Sequence, residues 1–213
     1  RSSFKLLQML KFVMFALLLS AVACTRQSPV SETPKQASVN ENDWKFRFDQ
    51  VLPLLGHRNW IIVADKAFPE QNAAGMEYIN TNEKLLPVLQ YVLQQVNQSG
   101  HVKPIIYQDK ELSFIPEDQV KGITAFREGS GKILNDALDA SKGQSGSAGR
   151  QVQTILHDSV FTRLDAASKL FKVLVLKTNE TMPYTSVFLQ MDCAYWNGDQ
   201  ERELRDSMSR RSK

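Results

Sequence analysis

The chain has 213 residues with 42% hydrophobic and 23% charged side chains, a balance that excludes wholesale disorder and suits one compact domain with extensions. With Arg1, Lys5 and Lys11 set aside, its 26 basic residues fall to 23 against 23 acidic ones. No basic face for nucleic acid therefore remains, and two cysteines exclude a disulfide scaffold or a cysteine-rich zinc site.

Residues 1–23 carry a basic start and an apolar run from Phe12 to Ala23. That run is too short to span a bilayer and has the form of a secretory signal. It ends Ser20-Ala21-Val22-Ala23-Cys24, which resembles the bacterial lipobox. The resemblance implies lipidation of Cys24, a membrane anchor and a place at the bacterial cell envelope, facing the periplasm or the outside. An ordinary cleaved signal is the alternative. Residues 24–43 then read as the lipidated cysteine and a polar, proline-containing tether.

Trp44, Phe48, Val51 and Leu55 follow at helical spacing, with Pro53 ending that helix before Gly56. Trp60–Ala64 is a continuous apolar run of the kind buried on both faces of a sheet, and it ends in Asp65. Glu83–Val96 carries a broad apolar helical stripe, whose start slips a few residues later if Pro87 is to lie in the first turn. Val102–Tyr107 predicts a strand, with Pro104 demanding an edge or an early position. Helical patterns follow at Pro116–Lys121, Lys132–Ala140 and Val152–Leu170, with a flexible linker between Ser141 and Arg150. Val173–Leu176 and Ser186–Asp192 read as late strands. Residues 198–213 hold four acidic and five basic residues and read as a solvated helix or frayed end. The alternation predicts an α/β fold, three layers αβα around a mostly parallel sheet, over residues 44–197.

Two polar clusters carry the chemistry. Gly56-His57-Arg58-Asn59 precedes the first strand, and Asp65-Lys66-Ala67-Phe68-Pro69 follows it, at the carboxyl end where open α/β sheets bind ligands. Lys177–Ser186 supplies Glu180, Tyr184 and several hydroxyls in one turn, a mixture suited to a hydroxyl-rich ligand with Phe68 or Tyr184 as a flat face. The three histidines show no metal-ligand spacing, and no nucleophile elbow or phosphate loop is present in the sequence. His101 reads as structural, and Cys193 as a structural thiol near a strand end.

In order and strand context these motifs resemble the ribose pyranase and fucose mutarotase family (RbsD/FucU), over roughly residues 44–196. The chain differs at Ser186, where the family has asparagine, at Asn179, where it has glycine, and in an inserted region 126–150. The resemblance implies a cofactor-independent and metal-free isomerase that interconverts anomers or ring forms of a monosaccharide. It assigns His57 as general acid/base, Asp65 as its orienter or a ligand partner, and Tyr184 as relay. Phe68, Glu180, Ser186 and His157 become substrate-binding residues. A carbohydrate-binding or sensing protein without turnover is the alternative on the same scaffold. His57 and Asp65 stand eight positions apart, about 25 Å along an extended strand. They unite if the Gly56 loop folds back along the strand, or if two protomers share a site, and the resemblance implies a homo-oligomer with sites near subunit boundaries.

Overall fold

The structure is a computed structural model that describes residues 43–140 and 151–211, all within one compact unit, Val39–Lys213. The signal at 1–23, Cys24, the tether up to Asn42 and the 141–150 linker lie outside the described residues.

Helix α1 (Trp44–Val51) starts at Asp43, whose side chain accepts from the Lys45 amide, and Pro53 turns its end into a short 3-10 segment, Leu52–Leu54. Strands β1 (Trp60–Ala64) and β2 (Met76–Asn80) follow, then helix α2 (Leu85–Gln98) with Pro87 in its first turn. Strand β3 (Val102–Asp109) runs into a 3-10 turn, Lys110–Phe114, and helix α3 (Ile123–Ala140) follows. The remaining elements are β4 (Gln153–Ile155), α4 (His157–Ser168), β5 (Val173–Lys177), β6 (Val187–Cys193) and α5 (Gly198–Arg211).

The six described strands form one sheet in the order β2-β5-β1-β6-β3-β4, in which only β6 runs antiparallel to its neighbours. Side-chain alternation along β1 explains the layering. Ile61 and Val63 join the apolar cluster under α1, α2 and α3, whereas Trp60, Ile62 and Ala64 join Val160 and Leu164 of α4 on the other face. Each fully buried Ile or Val of β1 is worth roughly 1.5–3 kcal/mol relative to exposure, so β1 anchors both cores. The fold is α/β, with helices on both faces of a largely parallel sheet.

Pro104 is accommodated because, among the described strands, β4 covers only Tyr107–Asp109 of β3 and so asks no amide of Pro104. The structure corrects the expected helices at 116–121 and 152–170 and extends the one expected at Lys132–Ala140. Residues 116–121 form turns, because Gly122 takes a φ of 90° and the Glu117 carboxylate accepts from the Gly122 and Thr124 amides at the head of α3. Lys132–Ala140 is the back half of α3. Val152–Leu170 divides into β4 and α4, since pairing with the far end of β3 overrides local helical pattern before His157. The edge strand β2 was not expected from the sequence. α5 contributes no buried residue, in line with a solvated tail. Among the described residues, no helix is long and apolar enough to cross a membrane.

Candidate functional site

The carboxyl ends of β1, β3 and β5 and the amino end of β6 meet at one end of the sheet, where the parallel strands deliver polar residues together. Asp65 is the first residue beyond β1. Its carboxylate accepts from the Ser186 hydroxyl at 2.8 Å and from the Ala67 amide at 2.9 Å, while its own amide donates to Ser186 Oγ at 3.0 Å. Lys177, at the end of β5, donates from Nζ to the carbonyls of Lys66 and Phe68 and so holds the 65–69 loop in place. The Lys66 amide, in turn, donates to the Glu180 carbonyl at 2.7 Å.

His157 opens α4. Its Nδ1 lies 2.9 Å from Asp109 Oδ2, and its backbone amide donates to the Glu111 carboxylate at 3.1 Å. The imidazole stands edge-on between Phe161 and Tyr184, with ring centroids 4.8 and 5.2 Å away. Tyr184 has a left-handed φ of 57°, a conformation that costs a non-glycine residue roughly 1–2 kcal/mol and brings its ring over the site. Asp65, Ala67, Phe68, Pro69, His157, Phe161, Pro183 and Tyr184 line a cavity of about 260 Å³.

Two described cavities are larger, at about 420 and 380 Å³, yet neither gathers comparable chemistry. The first contains His101, whose ring nitrogens lie 3.2 and 3.0 Å from the Ser99 and Leu55 carbonyls, consistent with its structural reading. The second, between α2 and α3, has walls of amides and aliphatic side chains with Asp136 as its one carboxylate. Chemistry rather than volume singles out the Asp65 cavity.

The structure thus brings Asp65, Phe68, His157 and Tyr184 around one cavity and places Ser186 behind Asp65. It turns Glu180 inward: the side chain is buried and accepts from the amides of Thr181 and Met182, so it shapes the turn instead of lining the cavity. Phe68 stacks on Phe161 at 5.5 Å and is only 4% exposed, so it forms the cavity wall, and Tyr184, 37% exposed, is the accessible ring of the two. Ser186 is likewise buried, and its hydroxyl is spent on Asp65.

His57 lies elsewhere in the chain. It is exposed on the turn before β1, with the whole strand Trp60–Ala64 between it and Asp65. The Gly56 loop does not fold back. The Gly56 amide donates to Asn59 Oδ1 and the Arg58 amide to the Met191 carbonyl, which pins the turn at the far end of the sheet. A single chain therefore does not unite His57 with Asp65.

Asp109 and Glu111 were absent from the sequence reading, as was Phe161. Asp109 ends β3 as Asp65 follows β1, and the signal was available in Tyr107-Gln108-Asp109 once the strand is carried two residues further. Its side chain has no exposed surface. Burial pushes its carboxyl up to about 6, against the lowering influence of the His157 hydrogen bond and charge, with Glu111 and Asp65 adding to the rise. The folded state therefore binds this proton more tightly than the unfolded chain does. Stability from this group is full below about pH 4 and declines as pH rises through 6, by up to about 3 kcal/mol. Asp109→Asn should flatten that decline, as measured by urea unfolding at half-unit steps between pH 4 and 7. Parallel wild-type and variant curves would contradict the assignment.

No family model and no curated protein matches this sequence. Solved structures do show similarity. The Bacillus subtilis RbsD complexed with D-ribose aligns with a TM-score of 0.44 and 16% identity, over 71% of this chain and 92% of that one. FucU from Bifidobacterium longum aligns at 0.46 and 12%, over 70% and 95%. The fucose mutarotase from Streptococcus pneumoniae in complex with L-fucose aligns at 0.44 and 15%, over 68% and 89%.

Proposed function

We propose that this chain is a cofactor-independent monosaccharide isomerase of the mutarotase or pyranase kind, anchored at the bacterial cell envelope through Cys24. The observation that carries the reading is the carboxylate of Asp65, fixed by Ser186 and the Ala67 amide, in a cavity shared with an imidazole and a phenol. A cavity of about 260 Å³ lies just under the roughly 300–1,000 Å³ of drug-sized sites and suits a single sugar ring. Its wall is mixed. Phe161, Pro69 and Pro183 meet the ring's C–H face, while Asp65, His157 and Tyr184 meet its hydroxyls.

The reaction asks little of the protein. A proton leaves the anomeric hydroxyl, its O–H electron pair becomes the carbonyl bond, and the bond from C1 to the ring oxygen breaks as that oxygen gains a proton. Rotation about the bond next to the carbonyl and reversal of the transfers give the other anomer, and closure by a different hydroxyl gives the other ring size. Both transfers need groups that trade protons near neutral pH, a role for imidazole with carboxylate and phenol support. In this reading His57 is a general acid/base supplied by a neighbouring protomer of a homo-oligomer, because its own cavity lies a strand's length away. Asp65 orients it or accepts from the sugar, and Tyr184 relays.

Mixing two inactive variants tests the shared site. His57→Ala and Asp65→Ala should each lose anomer exchange, and co-refolded mixtures should regain about a quarter of wild-type activity, through sites that combine intact halves. No recovery on mixing, or undiminished exchange in His57→Ala alone, would remove His57 from the site. Binding of a sugar by wild type without exchange would replace the isomerase by a sugar-binding protein.

A further inference from the structure

The geometry points to His157 as the proton-transferring imidazole that the chain supplies to its own cavity, with Asp109 as its positioning residue. The inference rests on the isomerase reading and adds to it a group on which the motif resemblance placed only substrate contact.

Four constraints converge on this one side chain. Asp109 takes Nδ1, Glu111 takes the backbone amide, and the rings of Phe161 and Tyr184 flank the imidazole from two sides. A third of the side chain, 34%, is nevertheless exposed, and it lines the cavity beside Asp65. With Nδ1 committed to Asp109, Nε2 is the nitrogen left to serve the ligand, so the carboxylate chooses both the tautomer and the direction in which the proton moves. A surface histidine has no need of such restraint.

Asp109 itself is out of a ligand's reach. Its side chain is fully buried and absent from the cavity wall, and Oδ1 has no hydrogen-bond partner among the described residues. A buried carboxylate with one oxygen unpaired is costly to keep, so a hydrophobic residue there would serve folding better than the native one does. The other groups that act on or touch the pair are Asp65 beyond β1, Glu111 beyond β3 and Tyr184 ahead of β6, while Asp158 and Arg163 are the charged residues of α4 nearest to His157 in sequence. Those nearest to Asp109 are acidic, and they favour retention of its proton. With a proton held between Asp109 and Nδ1, Nε2 exchanges another: it takes the proton of the anomeric hydroxyl as the C1–ring-oxygen bond breaks, while the His57 assigned above as acid protonates the ring oxygen, and both transfers reverse on closure, so the dyad ends each cycle unchanged.

The test combines kinetics with a readout that needs no sugar. Anomer exchange by saturation-transfer NMR should fall about 10²-fold or more in both His157→Gln and Asp109→Asn, and the double variant should be no slower than His157→Gln alone, because the two act as a unit. Asp109→Asn should also remove the limb of the rate–pH profile near pH 6 that belongs to the dyad. Separately, imidazole ¹⁵N shifts of wild type at pH 8 should show His157 protonated on Nδ1, a measurement that stands even if the variants fold poorly. Exchange in Asp109→Asn within about threefold of wild type, or an Nε2-protonated His157, would overturn the inference. If wild type catalyses no exchange while the Nδ1 tautomer is found, the isomerase reading falls and the positioning of His157 by Asp109 stands.

Discussion

Asp65→Ala should slow anomer exchange by about 10²–10⁴-fold, the range a positioned acid–base partner contributes. The carboxylate gathers a hydroxyl and a backbone amide onto its two oxygens, which fixes it at the lip of the cavity in one orientation. A small part of the effect is structural, since the buried Ser186 hydroxyl loses an acceptor worth about 1 kcal/mol. Asp65→Asn separates the two. The amide oxygen still accepts from the Ala67 amide, the NH2 group faces the Ser186 hydroxyl as a donor, and the loop keeps its shape through Lys177 and the Lys66–Glu180 bond, so the charge is lost while one acceptor becomes a donor. The Asn variant should melt within a few degrees of wild type yet lose most of its exchange. If it exchanged sugar as wild type does, Asp65 would be a loop residue and nothing more.

Gly75→Ala should destabilise the domain by about 3 kcal/mol or more, a large share of the roughly 5–15 kcal/mol that holds a domain together. Gly75 leads into β2 where the chain crosses the end of α4 and the start of β5. Its amide donates to the Ser168 carbonyl at 3.1 Å, and its carbonyl accepts from the Val173 amide at 2.9 Å. A Cβ there would lie 2.3 Å from the Phe171 carbonyl oxygen and 2.4 Å from that of Ser168. Both obstacles are backbone, so no side chain can swing aside, and relief requires parting β2 from β5. Urea unfolding should show a lower midpoint with an unchanged slope. A loss under about 1 kcal/mol would mean that the two segments give way freely.

Where hydrophobic pattern and turn chemistry were both strong, sequence and structure agree. β1 is legible as five apolar residues because both of its faces are buried, and Pro53 and Pro87 mark a helix end and a helix start as their missing amides require. β2 is different. As an edge strand with Met76, Glu77 and Tyr78 half-buried, it carries almost no apolar signal, and its place comes from pairing with β5. β4 was lost for the same reason, being three residues long and held by β3 alone.

The site divides along similar lines. Asp65, Phe68 and Tyr184 are legible because they flank turns at strand ends, which sequence marks with Pro69 and Pro183. Glu180 lies in the same turn, and sequence does not reveal that its carboxylate is consumed by the amides of the next two residues. His157 and Asp109 are 48 residues apart, and only the sheet order, with β4 leading from the edge beside β3 into α4, brings them to 2.9 Å. His57 shows the converse: a residue eight positions from Asp65 ends at the other end of the sheet.

The most direct test of the account is saturation-transfer NMR of ribose, fucose, galactose and glucose with the purified wild-type chain. Exchange between anomers of at least one of these sugars should be accelerated, in proportion to protein concentration and without added metal or cofactor. Uncatalysed exchange rates for all four sugars, with no saturation passing from protein to sugar, would contradict it.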